Sequence, residues 1–150
     1  MALRKIVKSP DEILRKSSRE VTAFNERLHT LLDDMKETME SANGVGLAAV
    51  QVGVLRRVFI VDVGEGVTEY INPEIKKLSG EQTGSEGCLS FPGQWGDVTR
   101  AMNVTVTAYD RFGKKFVKKA TELEARAIQH EYDHLNGKCF VDTAKNLETE

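Results

Sequence analysis

Thr121-Glu-Leu-Glu-Ala-Arg-Ala-Ile-Gln-His130-Glu-Tyr-Asp-His134-Leu-Asn-Gly137 carries a helix signal and a chemical signal together. Thr121-Glu-Leu-Glu124 is a capping-box pattern, the threonine accepting from a free helical N–H while the glutamate reaches back, and Gly137 supplies the stop. A helix over about 122–136 is therefore predicted. Inside it, His130-Glu131-Tyr132-Asp133-His134 is an H-E-x-x-H pattern. At about 100° per residue, His134 falls about 40° from His130 and Glu131 about 60° further on, so the three share one face. Two imidazoles suit a divalent transition metal, and the glutamate is placed to take a proton from water activated there. Tyr132 points to the opposite side.

Upstream, Leu28, Leu31, Leu32, Met35, Met39 and Ala42 recur at helical spacing and Asn43-Gly44 ends the run, giving an amphipathic helix near 25–42. Pro10-Asp-Glu-Ile-Leu-Arg15 reads as a short helical start capped by Ser9. Val54 to Val63 is rich in β-branched residues and ends at Gly64-Glu-Gly66, a strand and turn. Tyr70 to Leu78 reads as a further strand, confined by Pro73 to a sheet edge or strand entry. Residues 80–97 are rich in glycine and show no period. Asn103 to Tyr109 alternates apolar and polar side chains, and Asp110-Arg-Phe-Gly113 turns it into a hairpin partner at Lys114 to Lys119.

These elements make a single α+β domain over 1–150, with antiparallel or mixed sheets packed around the C-terminal H-E-x-x-H helix and a second helix nearer the N-terminus. The 150 residues suffice for a true core, and 40% hydrophobic with 29% charged residues argues against disorder and a membrane span. With 21 Lys+Arg against 23 Asp+Glu, nothing recommends a nucleic-acid partner. Two cysteines are too few for a secreted disulfide framework, and no leader-like apolar run opens the chain, so the expected location is cytoplasmic.

The helix supplies two metal ligands and lacks a third. A further histidine at the metzincin spacing would fall on Phe140, and Glu148 and Glu150 lie in a tail expected to fray. Among the remaining soft donors, His29 reads as an ordinary helix residue and Cys139, between Lys138 and Phe140, as a small buried hydrophobe. Cys88 sits in Glu86-Gly-Cys-Leu-Ser90, a glycine-rich segment able to bring its backbone close to another group.

Three segments together carry a family resemblance. Gly44-Val-Gly-Leu-Ala-Ala-Val-Gln51, Glu86-Gly-Cys-Leu-Ser90 and Gln129-His-Glu-Tyr-Asp-His-Leu135 resemble the signature segments of the peptide deformylases, in order and spacing, and the flanking Pro10–Arg15 and Val98-Thr-Arg100 also fit. The resemblance covers nearly the whole chain. It implies a hydrolase of protein biosynthesis and N-terminal processing, which removes the formyl group from N-formylmethionyl peptides as formate.

It also implies the site. Cys88, His130 and His134 become ligands of one divalent metal ion with an open fourth position, Fe2+ foremost, with Zn2+, Ni2+ or Co2+ able to replace it. Nothing in the ligand set itself selects iron. Glu131 becomes the proton carrier, and the Gln51 amide and Leu89 N–H become donors to the developing oxyanion. Backbone groups at Val45, Gly46 and Gly87 hold the peptide as an added strand, Gly44 leaves room for it, and Arg100 matches an arginine near the substrate entrance. Ala127 and Leu123, one and two turns before the ligand face, together with Val45 are candidates for the methionine pocket, and otherwise for plain core. Asp133 reads as a supporting acid, and Trp95 as a loop aromatic beside the groove. A transient ribosome association is left open, and no membrane partner is implied. Two other functions compete: a small H-E-x-x-H metallopeptidase, and a non-catalytic metal- or peptide-binding module of the same fold.

Overall fold

The computed structural model describes residues 2–149. Helix α1 spans Glu26–Ser41 and helix α2 Glu122–Leu135, and the strands are β1 Gly46–Ala48, β2 Val58–Val61, β3 Thr68–Ser79, β4 Gln82–Cys88, β5 Phe91–Arg100, β6 Asn103–Tyr109, β7 Lys115–Thr121 and β8 Lys145–Thr149. They form a five-stranded sheet in the order β1-β2-β3-β6-β7 and a three-stranded sheet β4-β5-β8, and every strand pair is antiparallel.

The larger sheet is covered on both faces, and strand alternation assigns each side chain to one helix. Val58 and Ile60 of β2 and Leu47 of β1 join Leu28, Leu31, Leu32, Met35 and Met39 of α1. Phe59, Val61 and Ala48 point the other way and pack with Ala125, Ala127, Ile128 and Leu135 of α2. A third cluster, Leu14, Phe91, Val98, Cys139 and Phe140, anchors the small sheet. The short run Val58–Val61 is thus buried on both faces, whereas residues 54–57 of the predicted strand lie outside it.

Helix α1 starts where Asn25 Oδ1 accepts the Leu28 N–H, and ends with Asn43 in the left-handed region at φ 56°. Two caps differ from expectation. The Glu12–Arg15 turn is capped by Asp11, whose Oδ1 accepts from the Ile13 N–H, because Ser9 and Pro10 are taken up in a turn closed by Asp11 N–H donating to Lys8 O. Thr121 precedes α2 but makes no side-chain cap. Glu122 is left-handed at φ 54°, and the threonine hydroxyl donates to Asn103 instead.

Pro73 lies within β3, a central strand rather than an edge. A register shift between Ile71 and Glu74, with Asn72 at φ 49°, lets the chain step past the missing N–H. Residues 80–97, unassigned by period, contain β4 and most of β5. The tail also pairs: β8, which includes Glu148, hydrogen-bonds to β5 through Trp95↔Glu148 and Asp97↔Lys145. Glu150 lies outside the described residues. Gly137, at φ 72°, closes α2 where a side chain would collide with the Arg15 carbonyl.

Candidate active site

Cys88 ends β4, with Leu89 and Ser90 forming the tight turn before Phe91. His130 and His134 lie one turn apart on α2, both buried. One ligand atom from each of Cys88, His130 and His134 lies within 4.8 Å of the others, a cluster spanning the two sheets' supporting elements. Cys88 Sγ is 3.4 Å from His134 Nε2. His130 Nδ1 donates to Glu86 Oε1 at 2.8 Å, an assignment of the proton from the bonding pattern, and this leaves Nε2 free for a metal.

The Glu86 carboxylate is the hub behind that imidazole. It also accepts from Arg100 Nε at 2.7 Å and Arg100 Nη2 at 2.9 Å, and from Arg126 Nη1. Burial alone would raise its pKa, but His130 and Arg100 outweigh burial and hold it at about 2. Burial opposes charge on His130, yet Cys88 and Glu86 lift it to about 10, while burial keeps His134 neutral. A cysteine thiolate and two imidazoles with an open side match a hydrolytic metal centre, so the residues present fit a divalent ion.

Glu131 faces the same cavity, and burial pushes its carboxyl up to about 7. Its Oε1 is buried with no hydrogen-bond partner among the described residues. Gln51, nearly fully buried, accepts the Ala48 N–H at Oε1, and this turns Nε2 to Ser90 Oγ at 3.1 Å and Cys88 Sγ at 3.5 Å.

These groups line a cavity of about 640 Å³. Gly44, Val45, Gly46, Gln51, Gly87, Cys88, Leu89, Leu123, Ala127, His130 and Glu131 all reach it. His134 sits behind it, 1% exposed. Arg100 differs from expectation: it does not line the cavity, and its buried guanidinium is spent on Glu86 and, at 2.9 Å, Asp133. The Val45 carbonyl accepts the Asp62 N–H, so strand alternation leaves the polar groups of Gly46 directed to the open edge of β1. Val45 and Leu123 remain exposed as apolar walls. Arg126 and Trp95 also line it. The Trp95 ring lies against Gly87, where an added Cβ would stand 2.6 Å from it. His29 and Cys139 stay apart, the former bonded to the Arg111 carbonyl and the latter buried beside Leu14.

The sequence matches the model of the polypeptide deformylase family over residues 3–150. The chain belongs to that family. Among curated members, a peptide deformylase of Caldicellulosiruptor bescii is 56% identical over 142 residues, 95% of this chain and 86% of the relative. Peptide deformylase 1 of Bacillus subtilis is 49% identical over 152 residues, covering 100% of this chain and 95% of its own. The crystal structure of a peptide deformylase from Legionella pneumophila aligns with TM-score 0.93 and 48% identity, over 96% of this chain and 87% of that one. That from Thermotoga maritima gives 0.93 at 38% identity, over 95% and 98%. The α+β architecture with its H-E-x-x-H helix is thus a deformylase fold.

Proposed function

We propose that this enzyme, a metal-dependent peptide deformylase, uses Cys88, His130 and His134 to hold one divalent ion and Glu131 to move the proton. The cluster of a thiol and two imidazoles, beside a cavity into which Cys88, His130 and the buried Glu131 carboxylate face, carries this assignment. The bound ion supplies Lewis acidity, polarising a carbonyl and easing deprotonation of water. Fe2+ is the ion we favour for this family, with Zn2+, Ni2+ or Co2+ as substitutes, since thiolate and imidazole accept all four.

The substrate strand lies along the open edge of β1, its backbone meeting the backbone groups of Gly46 and, across the groove, of Gly87. Leu123, Ala127 and the Val45 side chain flank the methionine. Water attacks the formyl carbon as Glu131 accepts its proton, a carboxyl poised near 7 being suited to both accepting and returning it. Gln51 Nε2 and the Leu89 N–H donate to the oxygen that gains charge, each worth about 2.7–4 kcal/mol of barrier. The C–N bond then breaks, Glu131 protonates the departing amine, and formate and a free N-terminus leave. Arg100 acts through Glu86 rather than on substrate.

The whole chain acts as one catalytic domain on N-formylmethionyl peptides in the cytoplasm, with ribosome contact no more than transient. The formal charge of −2 gives no basic excess for nucleic acid, and among the described residues no helix is long and apolar enough to cross a membrane. Formate release from formyl-Met-Ala-Ser tests the assignment: Glu131→Ala should retain metal and lose turnover by about 10²–10⁴-fold. Full turnover in that variant would remove Glu131 from the mechanism. Cleavage of an internal bond in an unblocked peptide would favour a metallopeptidase instead.

A further inference from the structure

Gly46 has a neighbour that the peptide-docking role does not explain. It belongs to β1, and alternation turns it, like Ala48, toward α2. A Cβ built on Gly46 would stand 2.6 Å from Glu131 Oε2, 3.0 Å from Cγ and 3.1 Å from Cδ, so its three nearest neighbours all belong to the one side chain. The backbone of Gly46 is not left-handed, and an alanine would adopt it without strain. What would yield is the carboxylate.

The other bare positions of the site clear space for different groups. At Gly44 a Cβ meets Leu89 and Met39, and at Gly87 the Trp95 ring. Glu131 Oε1 has no hydrogen-bond partner among the described residues, so packing against the β1 backbone, rather than a bond at that atom, limits where the carboxylate can lie. We propose that Gly46 is a positioning residue for Glu131: its missing side chain is the seat that lets the carboxylate lie over β1 and face the cavity. This rests on the assignment of Glu131 as the proton carrier, and it adds a second duty to a glycine whose polar groups also face the peptide.

A double-mutant cycle in metal-loaded protein tests it, using formyl-Met-Ala-Ser, with metal content and thermal midpoint measured for each variant. Gly46→Ala should keep its metal and midpoint and hold KM within about twofold, while kcat falls about 10- to 100-fold, within the span attributable to a general base. In the Glu131→Asp background the shortened side chain already withdraws from the seat, so adding Gly46→Ala should cost less than about threefold, a strongly non-additive pair. A rise in KM at unchanged kcat, or equal losses in both backgrounds, would assign Gly46 to the peptide alone. Loss of metal or folding in Gly46→Ala would also overturn the proposal, because the added methyl is argued to press first on the end of the Glu131 side chain, which can move without unfolding the site. Full turnover in Glu131→Ala would instead defeat the assignment on which it rests.

Discussion

The carboxylate of Glu86 accepts from His130, twice from Arg100 and once from Arg126, so one buried anion answers two buried guanidiniums and one imidazole. Its charge holds the His130 proton on Nδ1 and turns Nε2 toward Cys88 and His134. Glu86→Gln keeps an acceptor for that proton but leaves Arg100 with Asp133 as its carboxylate partner and Arg126 with the Val98 and Gln82 carbonyls alone. The variant should bind its metal about 10- to 100-fold more weakly, the usual cost of losing a group that orients a ligand imidazole. Competition against a chromophoric chelator measures this, and unchanged affinity would show that helix packing alone orients His130. The cluster of Cys88, His130 and His134 was legible in the sequence as a candidate ligand set, since His130, Glu131 and His134 form a local pattern and the three motifs recruit Cys88. The hub was not. Arg126 reads as one more polar residue of an amphipathic helix, and its partner is 40 residues upstream in β4 of the small sheet. Gly46 was read for its freedom toward substrate, and only folding brings it against Glu131.

At the scale of elements, α1 is tied to the N-terminal segment by Asp34, whose carboxylate accepts the Ala2 N–H and the Arg4 guanidinium, each at 2.8 to 2.9 Å. The Ala2 bond, aided by Arg4 against the penalty of burial, lowers the Asp34 pKa below 3.8. A carboxyl whose folded pKa is depressed adds stability that is complete above its unfolded value and is lost as pH falls through the folded one. Asp34→Asn should therefore cost about 1 kcal/mol near pH 7, discounted because Arg4 is one-third exposed. The difference should shrink toward zero as pH drops below 3.8. Urea midpoints of both proteins at pH 7 and pH 3 give the comparison, and a gap that persists unchanged at low pH would contradict it. The helices and the β6–β7 hairpin were readable because their burial has one period. Strands β4 and β5 were not: Gly84, Gly87, Gly93 and Gly96 dilute the pattern, and the register shift after Glu86 breaks the alternation where Trp95 folds over Gly87. Pro73 misled for the same reason, a bulge absorbing what a regular ladder could not.

For the whole molecule, the proposed ligand set bridges two bodies of structure. Cys88 comes from β4 of the three-stranded sheet, whereas His130 and His134 come from α2, which is packed on the five-stranded one. An ion held by all three therefore fastens the small sheet to the main core, adding to the Glu86–Arg126 bond and the Phe91–Phe140 packing already there. Because the unfolded chain does not gather these donors, binding stabilises the native state alone, by about 2.7 kcal/mol when free metal is 100 times its dissociation constant. For a chain of this size that corresponds to about 5–11 °C in thermal midpoint. Removing the metal should lower the midpoint by that order, and the loss should be uneven. Amide exchange should accelerate most in β4 and β5, whose links to α2 the ion reinforces, and in β8, which pairs with β5, and least in β2 and β3, which both helices cover. Uniform acceleration across both sheets would mean that the two unfold as one unit and that the metal stabilises it globally. Restoring protection in β4 and β5 by adding Zn2+ or Ni2+ to the metal-free protein separates this effect from damage to the Cys88 thiol, which oxidation would make irreversible.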